Sequence, residues 1–303
     1  MKKNLSLIFL FFLACEFCSA QLKISAKSGI IENSTKEILW TKQGEDAQII
    51  SLLDWNTYVA PVVCMDVKYK SNENYCFGFN GFYTIPFSYG IMEDSDYMNL
   101  LTTGGKERTH YSKHTNKLDN YWNIQAFFNA GGSINQKLEL SALFSLGYSY
   151  YCFTAHDGYK QYPDQPKTAM KGKIITLEQQ KFYFGLGSGL NYYATEKLLF
   201  ELKLKLHPSF INQALDTHYR RNNKYSYFEL STELAFESEL LLEYKLDSKN
   251  ALTFGLDFFA SSVKNGNLYQ SKDKKNWIQF ENQTGIKQTA WKLITGYTYI
   301  YEK

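Results

Sequence analysis

The stretch Phe200-Glu201-Leu202-Lys203-Leu204-Lys205-Leu206 alternates between apolar and charged side chains. Successive side chains of an extended strand point to opposite faces, so this period of two predicts a strand with one apolar face and one charged face. The same period recurs in residues 182–186 and 252–258. A strand of a soluble sheet would show it too, so the period alone does not distinguish water from a membrane.

The composition helps to decide between a soluble protein and a membrane protein. The chain has 303 residues, 44% of them hydrophobic and 17% aromatic, yet its mean hydropathy is -0.37. A helical membrane protein needs runs of about 20 apolar residues, and the only long apolar run here is at the N-terminus. Abundant Tyr and Phe fit the aromatic girdles of an outer-membrane barrel. A net charge of +3 gives no reason to expect nucleic acid as a partner. A soluble, secreted all-β enzyme or lectin remains the alternative.

The N-terminus has the pattern of an export signal. The charged pair Lys2-Lys3 precedes the apolar run Leu5–Ala14 and the small-residue cleavage site Cys18-Ser19-Ala20. We therefore expect residues 1–20 to be a signal peptide and residues 21–303 to form a single domain.

The cysteines leave two questions open. Lipidation at Cys15 is an alternative to cleavage after Ala20, although the residues before it match a lipobox only loosely. Cleavage would leave Cys64, Cys76 and Cys152, an odd number that cannot all pair within one chain. Cys64 and Cys76 flank a short turn and could pair if the register allows, or they could be separate apolar residues on a barrel wall. No zinc-ligand spacing is present.

The lengths of the connections predict the architecture. We expect ten strands, at residues 23–42, 47–69, 75–91, 118–132, 136–155, 177–193, 198–215, 224–246, 251–263 and 282–301. Short connections at 70–74, 133–135, 194–197 and 247–250 alternate with longer ones at 92–117, 156–176, 216–223 and 264–281; the first, near 43–46, fits least well. This alternation predicts an all-β, ten-stranded antiparallel transmembrane β-barrel in the outer membrane, with both termini on the periplasmic side.

Two short motifs lie where predicted strands leave for long loops. Asp94 and Asp96 follow the third strand, and Asp216 and His218 follow the seventh, so both pairs are expected at the extracellular end. Spacing at i and i+2 directs both side chains of a pair to the same face of a strand. Taken alone, each pair could be solvated loop charges or cation ligands.

Together, the two pairs suggest hydrolysis. A carboxylate beside His218 can orient the imidazole and stabilise its charged form. Two adjacent carboxylates repel each other, so at least one should have a raised pKa. A water between the pairs could then be deprotonated by His218, and general-base catalysis of this kind contributes about 10²–10⁴-fold.

These motifs resemble those of the omptin family. The family has Met followed two residues later by Asp-x-Asp, an aromatic residue and Met, as in Met92–Met98, and it has an Asp-x-His like residues 216–218. Three flanking stretches agree in order and spacing: Thr35-Lys36-Glu37, residues 50–55 ending in Leu-Asp-Trp, and Cys152-Phe153-Thr154-Ala155. The resemblance covers nearly the whole mature chain.

The resemblance implies a ten-stranded outer-membrane endopeptidase that cleaves peptides or proteins after basic residues. Asp94 and Asp96 would form one catalytic pair, and Asp216 would orient the base His218. No metal, cofactor or covalent intermediate is implied. By the same resemblance, Glu37 would bind the basic side chain before the scissile bond, and Met92 would line the pocket after it. A packing role for Met92 is an equal alternative.

The chain departs from the family pattern at two positions, which concern the basic-residue pocket and the contact with lipopolysaccharide. Ala214 replaces a second acid of the basic-residue pocket, which leaves the preference for Arg open. His156 replaces an Arg that contacts lipopolysaccharide phosphate, which argues against dependence on that lipid. A catalytically inactive barrel, acting as an adhesin or structural protein, is therefore the alternative function. We interpret His110 and His114 as solvated loop residues. Arg220-Arg221 could meet phosphate groups or be a solvated loop charge, and we prefer the second interpretation.

Overall fold

The computed structural model describes residues 21–41, 47–98, 107–221 and 224–302. The predicted signal peptide and the connection at 43–46 lie outside these residues. The strands are β1 (Gln21–Trp40), β2 (Ile49–Lys70), β3 (Tyr75–Thr84), β4 (Tyr89–Asp96), β5 (His110–Asn135), β6 (Leu138–Gln161), β7 (Thr168–Tyr193), β8 (Leu198–His218), β9 (Tyr225–Leu230), β10 (Leu234–Lys245), β11 (Asn250–Ser271) and β12 (Ile278–Glu302). The described part contains no helix that is long and apolar enough to cross a membrane.

The strands close into a ring of ten positions. Neighbouring positions of the ring pair antiparallel, and β1 pairs with both β2 and β12, which closes the sheet. β3 and β4 together fill one position between β2 and β5, and β9 and β10 fill another between β8 and β11. The predicted ten-stranded antiparallel β-barrel is thus confirmed.

Two predicted strands are interrupted. The predicted strand at 75–91 breaks at residues 85–88, where Pro86 has no N–H to donate to a ladder. The predicted strand at 224–246 breaks at residues 231–233, where the side chain of Glu233 enters the barrel and is only 1% exposed. Neither break changes the number of positions in the ring.

The predicted boundaries at the long-loop end are wrong. β6 and β7 remain paired as far as Lys160 and Thr168, and β11 and β12 as far as Gln270 and Ile278, so the predicted loops at 156–176 and 264–281 are mostly strand. The apolar–polar period fades there because side chains beyond the membrane need no apolar outward face, while backbone hydrogen bonding continues. β4 likewise extends to Asp96 and β8 to His218, so both motifs lie on strands.

The direction of the side chains shows the environment of the barrel. Leu202, Leu204 and Leu206 point outward and are 37–46% exposed, whereas Lys203 and Lys205 point inward. Inside, Lys203 Nζ lies 3.2 Å from Glu201 Oε1 and 3.1 Å from a carboxylate oxygen of Glu239. An apolar exterior around a charged interior is the arrangement of an outer-membrane barrel.

Aromatic rings mark one border of the apolar belt. Trp122, Tyr148, Phe182 and Phe210 lie on the consecutive strands β5 to β8, with centroids 4.4–6.1 Å apart from one ring to the next. Tyr89 on β4 contacts Tyr58 in the same way. Such girdles sit at the membrane–water interface. The termini and the short turns lie at the opposite end of the barrel.

Just beyond this girdle, apolar side chains fill the barrel and form what we call the apolar floor. Its members are Trp55, Met92, Phe153, Leu177, Phe228 and Ile286, which are all 0% exposed. Trp55 and Phe153 stack with ring centroids 5.7 Å apart. The floor separates the charged interior of the barrel from its mouth.

The register answers the question about the cysteines. Cys64 pairs with Phe82, whereas Cys76 pairs with Lys70 on the same ladder. The six-residue offset corresponds to about 20 Å along a strand, and a disulfide needs Cα atoms within about 7 Å. Cys64, Cys76 and Cys152 are free thiols.

Candidate active site

The acid pair lies on β4, beyond the membrane belt. Asp94 is five residues past the girdle residue Tyr89, which is about 16 Å along a strand. Asp94 and Asp96 are 5% and 4% exposed, and both side chains point into the mouth of the barrel, as their i, i+2 spacing predicts. Each carboxyl keeps one oxygen, Oδ1, that is buried and has no hydrogen-bond partner among the described residues.

The Asp–His pair lies on β8, which three strands separate from β4 around the ring. The distance between His218 Nε2 and Asp216 Oδ2 is 2.5 Å, and the two residues are 6% and 1% exposed. Asp216 therefore fixes the orientation of the imidazole and leaves Nδ1 as the nitrogen available for proton transfer. Asp216 Oδ1 is buried without a hydrogen-bond partner among the described residues.

A cleft of about 390 Å³ at the mouth brings the two pairs together. Asp94, Asp96 and His218 all line it. His218 and Asp216 are close enough to Asp94 to act on its charge. The sequence thus predicted correctly that strands distant in the chain place these four side chains at one end of the barrel.

The surroundings of Asp94 favour its protonated form. Its pKa is raised to about 6, first by burial and then by the neighbouring Asp96 carboxyl, while the charges of Arg221 and His218 act to lower it. The raised pKa of Asp94 agrees with the expectation that one carboxyl of the Asp94–Asp96 pair has a raised pKa. A carboxyl with this pKa can hold or release a proton near neutral pH.

Stability should fall as Asp94 ionises. The folded protein binds this proton at a pKa of about 6 against an ordinary value of 3.8. The native state therefore holds more protons between these pH values, and unfolding becomes easier as pH rises, by up to about 3 kcal/mol at 1.36 kcal/mol per pKa unit. We expect Asp94→Asn to remove this part of the pH dependence. Unfolding by guanidinium in detergent at pH 4 to 7 measures it, and parallel curves for the two proteins would contradict the assignment.

The two predicted substrate-binding residues, Glu37 and Met92, have different surroundings. Glu37 on β1 is 1% exposed, and its Oε2 has no hydrogen-bond partner among the described residues. Its pKa is raised well above the ordinary value, first by burial and then by the charges of Asp216 and Asp94. Met92 belongs to the apolar floor, so its position fits packing beneath the cleft. Ala214, which is 3% exposed, also belongs to the buried apolar cluster around the floor.

Sequence reasoning missed three residues at the site. Arg221 is not simply solvated: its Nη2 donates to Asp94 Oδ2 at 3.0 Å and to Asp96 Oδ2 at 3.5 Å. The interpretation of His114 as a solvated loop residue is wrong, because it lies on β5 and is 2% exposed. His114 Nε2 is 2.9 Å from Ser112 Oγ, and its Nδ1 is 2.6 Å from the backbone oxygen of Asp157. Ser112 pairs with Asp94 across β4 and β5, a register that no local pattern reveals.

The described residues contain no group of three or more His, Cys, Asp or Glu side chains placed to hold a metal ion. The site offers instead two carboxylate-containing pairs around one cleft, with oxygens free to bind water or a cation. This donor set suits general acid–base chemistry on a polar substrate.

The fold is that of an outer-membrane β-barrel, with a cleft at its mouth that Asp94, Asp96 and His218 line. Residues 18–301 match the model of the Omptin family, and the chain belongs to that family. The family is one of outer-membrane proteases.

The structural comparison agrees with this fold. The crystal structure of the outer membrane protease OmpT from Escherichia coli superposes with a TM-score of 0.78 at 16% identity, covering 93% of this chain and 97% of that one. The outer membrane protein OprG from Pseudomonas aeruginosa gives a TM-score of only 0.34 at 9% identity, over 91% and 97% of the two chains. No curated protein matches the sequence.

Proposed function

We propose that this protein is an endopeptidase of the outer membrane that hydrolyses peptides or proteins near basic residues, with its cleft on the extracellular side. The observation that carries the proposal is one cleft holding a buried acid pair and a buried Asp–His pair, each with a free carboxylate oxygen. The site lies at the end opposite to the short turns and the termini, which are periplasmic in barrels of this kind.

The proposed mechanism needs no metal and no covalent enzyme intermediate. His218 takes a proton from a water through Nδ1, while Asp216 stabilises the imidazolium that forms. The hydroxide adds to the peptide carbonyl, and the negative charge develops on the carbonyl oxygen. The Asp94–Asp96 pair, which can carry a proton near neutral pH, donates a hydrogen bond to that oxygen. His218 then returns its proton to the leaving amine as the C–N bond breaks.

Substrate selection is proposed to depend on Glu37. It lies beside the catalytic carboxylates, and its unpartnered oxygen could accept a hydrogen bond from a basic side chain. Binding of a cation would also favour the ionised form of this buried carboxyl. Since Ala214 supplies no second charge, one carboxylate has to select the cation. His156 is consistent with activity that does not depend on lipopolysaccharide, while the apolar belt contacts outer-membrane lipid.

A digest of a peptide library by the refolded mature chain tests both the activity and this role. We expect cleavage next to Lys or Arg. Glu37→Gln should lower kcat/KM for these peptides by about tenfold to a hundredfold, because a charge-assisted hydrogen bond contributes about 1.5–3 kcal/mol. Glu32→Gln is the matched control, since Glu32 lies on the same strand but faces outward and is exposed.

Other outcomes would lead to different conclusions. Cleavage beside uncharged residues would keep the mechanism and remove the proposed specificity. No cleavage by the wild type, with or without lipopolysaccharide, would favour the inactive barrel that acts as an adhesin or structural protein.

A further inference from the structure

Arg221 crosses the mouth of the barrel to reach the acid pair. It follows β8, three residues after His218, whereas Asp94 and Asp96 lie on β4. Its Nη2 donates to the Oδ2 atoms of both carboxylates, at 3.0 and 3.5 Å. The contact therefore links two walls of the cleft that no backbone hydrogen bonds between the described residues join directly.

The position of this guanidinium is that of a bound cation. It lies in the field of four carboxylates, those of Asp94, Asp96, Asp216 and Glu37. Burial lowers the pKa of Arg221, but these four charges outweigh it and the pKa is raised. The same four carboxylates carry the proposed catalysis and the proposed selection of a basic substrate.

The two sides of the contact differ in exposure. The Asp94 and Asp96 side chains are each 6% exposed, whereas that of Arg221 is 46% exposed. Ion pairs with one exposed partner are weak, because solvent competes for the charge. The carboxylates are therefore fixed, while the guanidinium can be replaced at small cost by another cation.

We propose that Arg221 is an internal competitor, whose guanidinium occupies the cation site formed by the acid pair, Asp216 and Glu37 until the basic side chain of a substrate displaces it. This inference rests on the proposed function and adds a competition within the protein. A basic side chain bound by Glu37 replaces the guanidinium as the cation among these four carboxylates. The departure of Arg221 also frees the Asp94–Asp96 pair to meet the carbonyl oxygen.

The competition has a simple quantitative consequence. When a fraction of the protein is closed by Arg221, the apparent dissociation constant rises by the inverse of the open fraction. A weak contact of the kind seen at exposed ion pairs corresponds to roughly a fivefold effect. Removing the side chain should therefore tighten binding about fivefold for any ligand that has to displace it, including a small cation.

The test compares the wild type with Arg221→Gln, using Lys224→Gln as the matched control. Lys224 lies beyond Arg221 on the same connection and contacts the rings of Tyr219 and Tyr225 instead of the acids. Benzamidine is the probe cation, and calorimetric titration of the detergent-folded barrels measures its binding without any cleavage. Heat-modifiable electrophoretic mobility verifies that each variant is folded.

We expect Arg221→Gln to bind benzamidine about fivefold more tightly, while Lys224→Gln binds like the wild type. In peptide assays, KM for basic peptides should fall with little change in kcat. Unchanged or weaker benzamidine binding by Arg221→Gln would overturn the inference. A loss of kcat would also overturn it, since Arg221 would then support the acid pair during the reaction. If no protein cleaves any peptide, the proposed function fails, but the titration still decides whether Arg221 competes for the cation site.

Discussion

Replacing His218 by alanine is expected to lower kcat by about 10²–10⁴-fold, the contribution of a positioned general base. His218 is the one imidazole bound to a buried carboxylate in the described cleft, with 2.5 Å between its Nε2 and Asp216 Oδ2. Without it, the water has no base to take its proton, although the acid pair remains to polarise the carbonyl. The measurement is single-turnover cleavage of a basic peptide by the refolded barrel.

Two further variants are compared with His218→Ala. His156→Ala removes an imidazole outside the acid pair and the Asp–His pair, and it should keep the wild-type rate. Asp96→Ala should also lower kcat strongly, because it removes half of the acid pair. Each variant should still form a heat-modifiable barrel, since these side chains lie beyond the membrane belt. Activity that survives His218→Ala in a folded barrel would exclude the proposed base.

Replacing Lys181 by methionine is expected to destabilise the barrel by about 3–5 kcal/mol, because removing one member of a buried ion pair leaves the other charge uncompensated. Lys181 Nζ lies 3.1 Å from Glu233 Oε2 and 3.1 Å from Gln288 Oε1. The Lys181 and Glu233 side chains are 6% and 1% exposed. Glu233 also accepts a hydrogen bond from Asn212 Nδ2 at 3.0 Å, which would not neutralise its charge. Unfolding by guanidinium in detergent gives the free energy.

The controls for Lys181 separate charge from packing. The double variant Lys181→Met with Glu233→Leu should recover most of the loss, because replacing a whole buried pair by apolar residues costs little. Lys36→Met breaks a pair with Asp54 in which the lysine side chain is 42% exposed, and it should cost about 0–1 kcal/mol. Equal losses for the single and double variants would show that packing, and not an unpaired charge, dominates at Lys181.

The fold was largely predictable because its signals are local. The period of two in residues 200–206 and the short polar turns depend only on neighbouring residues, and they determined the number of positions in the ring. The boundaries at the mouth were not predictable, because the strands there continue through backbone pairing without an apolar face. Pro86 was a visible local signal for the break after β3, which the assignment of one strand at 75–91 did not use.

The site was partly predictable for the same reason. The i, i+2 spacing placed Asp94 with Asp96 and Asp216 with His218 on common faces. The burial of His114 and the bridge from Arg221 to the acid pair were not predictable, because they join residues on different strands. Arg221 lies more than a hundred residues from either partner, and no spacing within its own segment indicates that contact.

The sequence by itself determined the strand period, the ring of ten and the two pairs of ionisable residues, Asp94 with Asp96 and Asp216 with His218. Each of these follows from the geometry of one strand or from the alternation of short and long connections. Only the tertiary structure decided which face of each strand turns outward, because Leu202 and Lys203 alternate equally well with either one inside. It also decided that β4 and β8 face each other across one cleft, with Arg221 between them. That arrangement depends on how the closed barrel sets distant strands against each other, and a single strand carries no information about it.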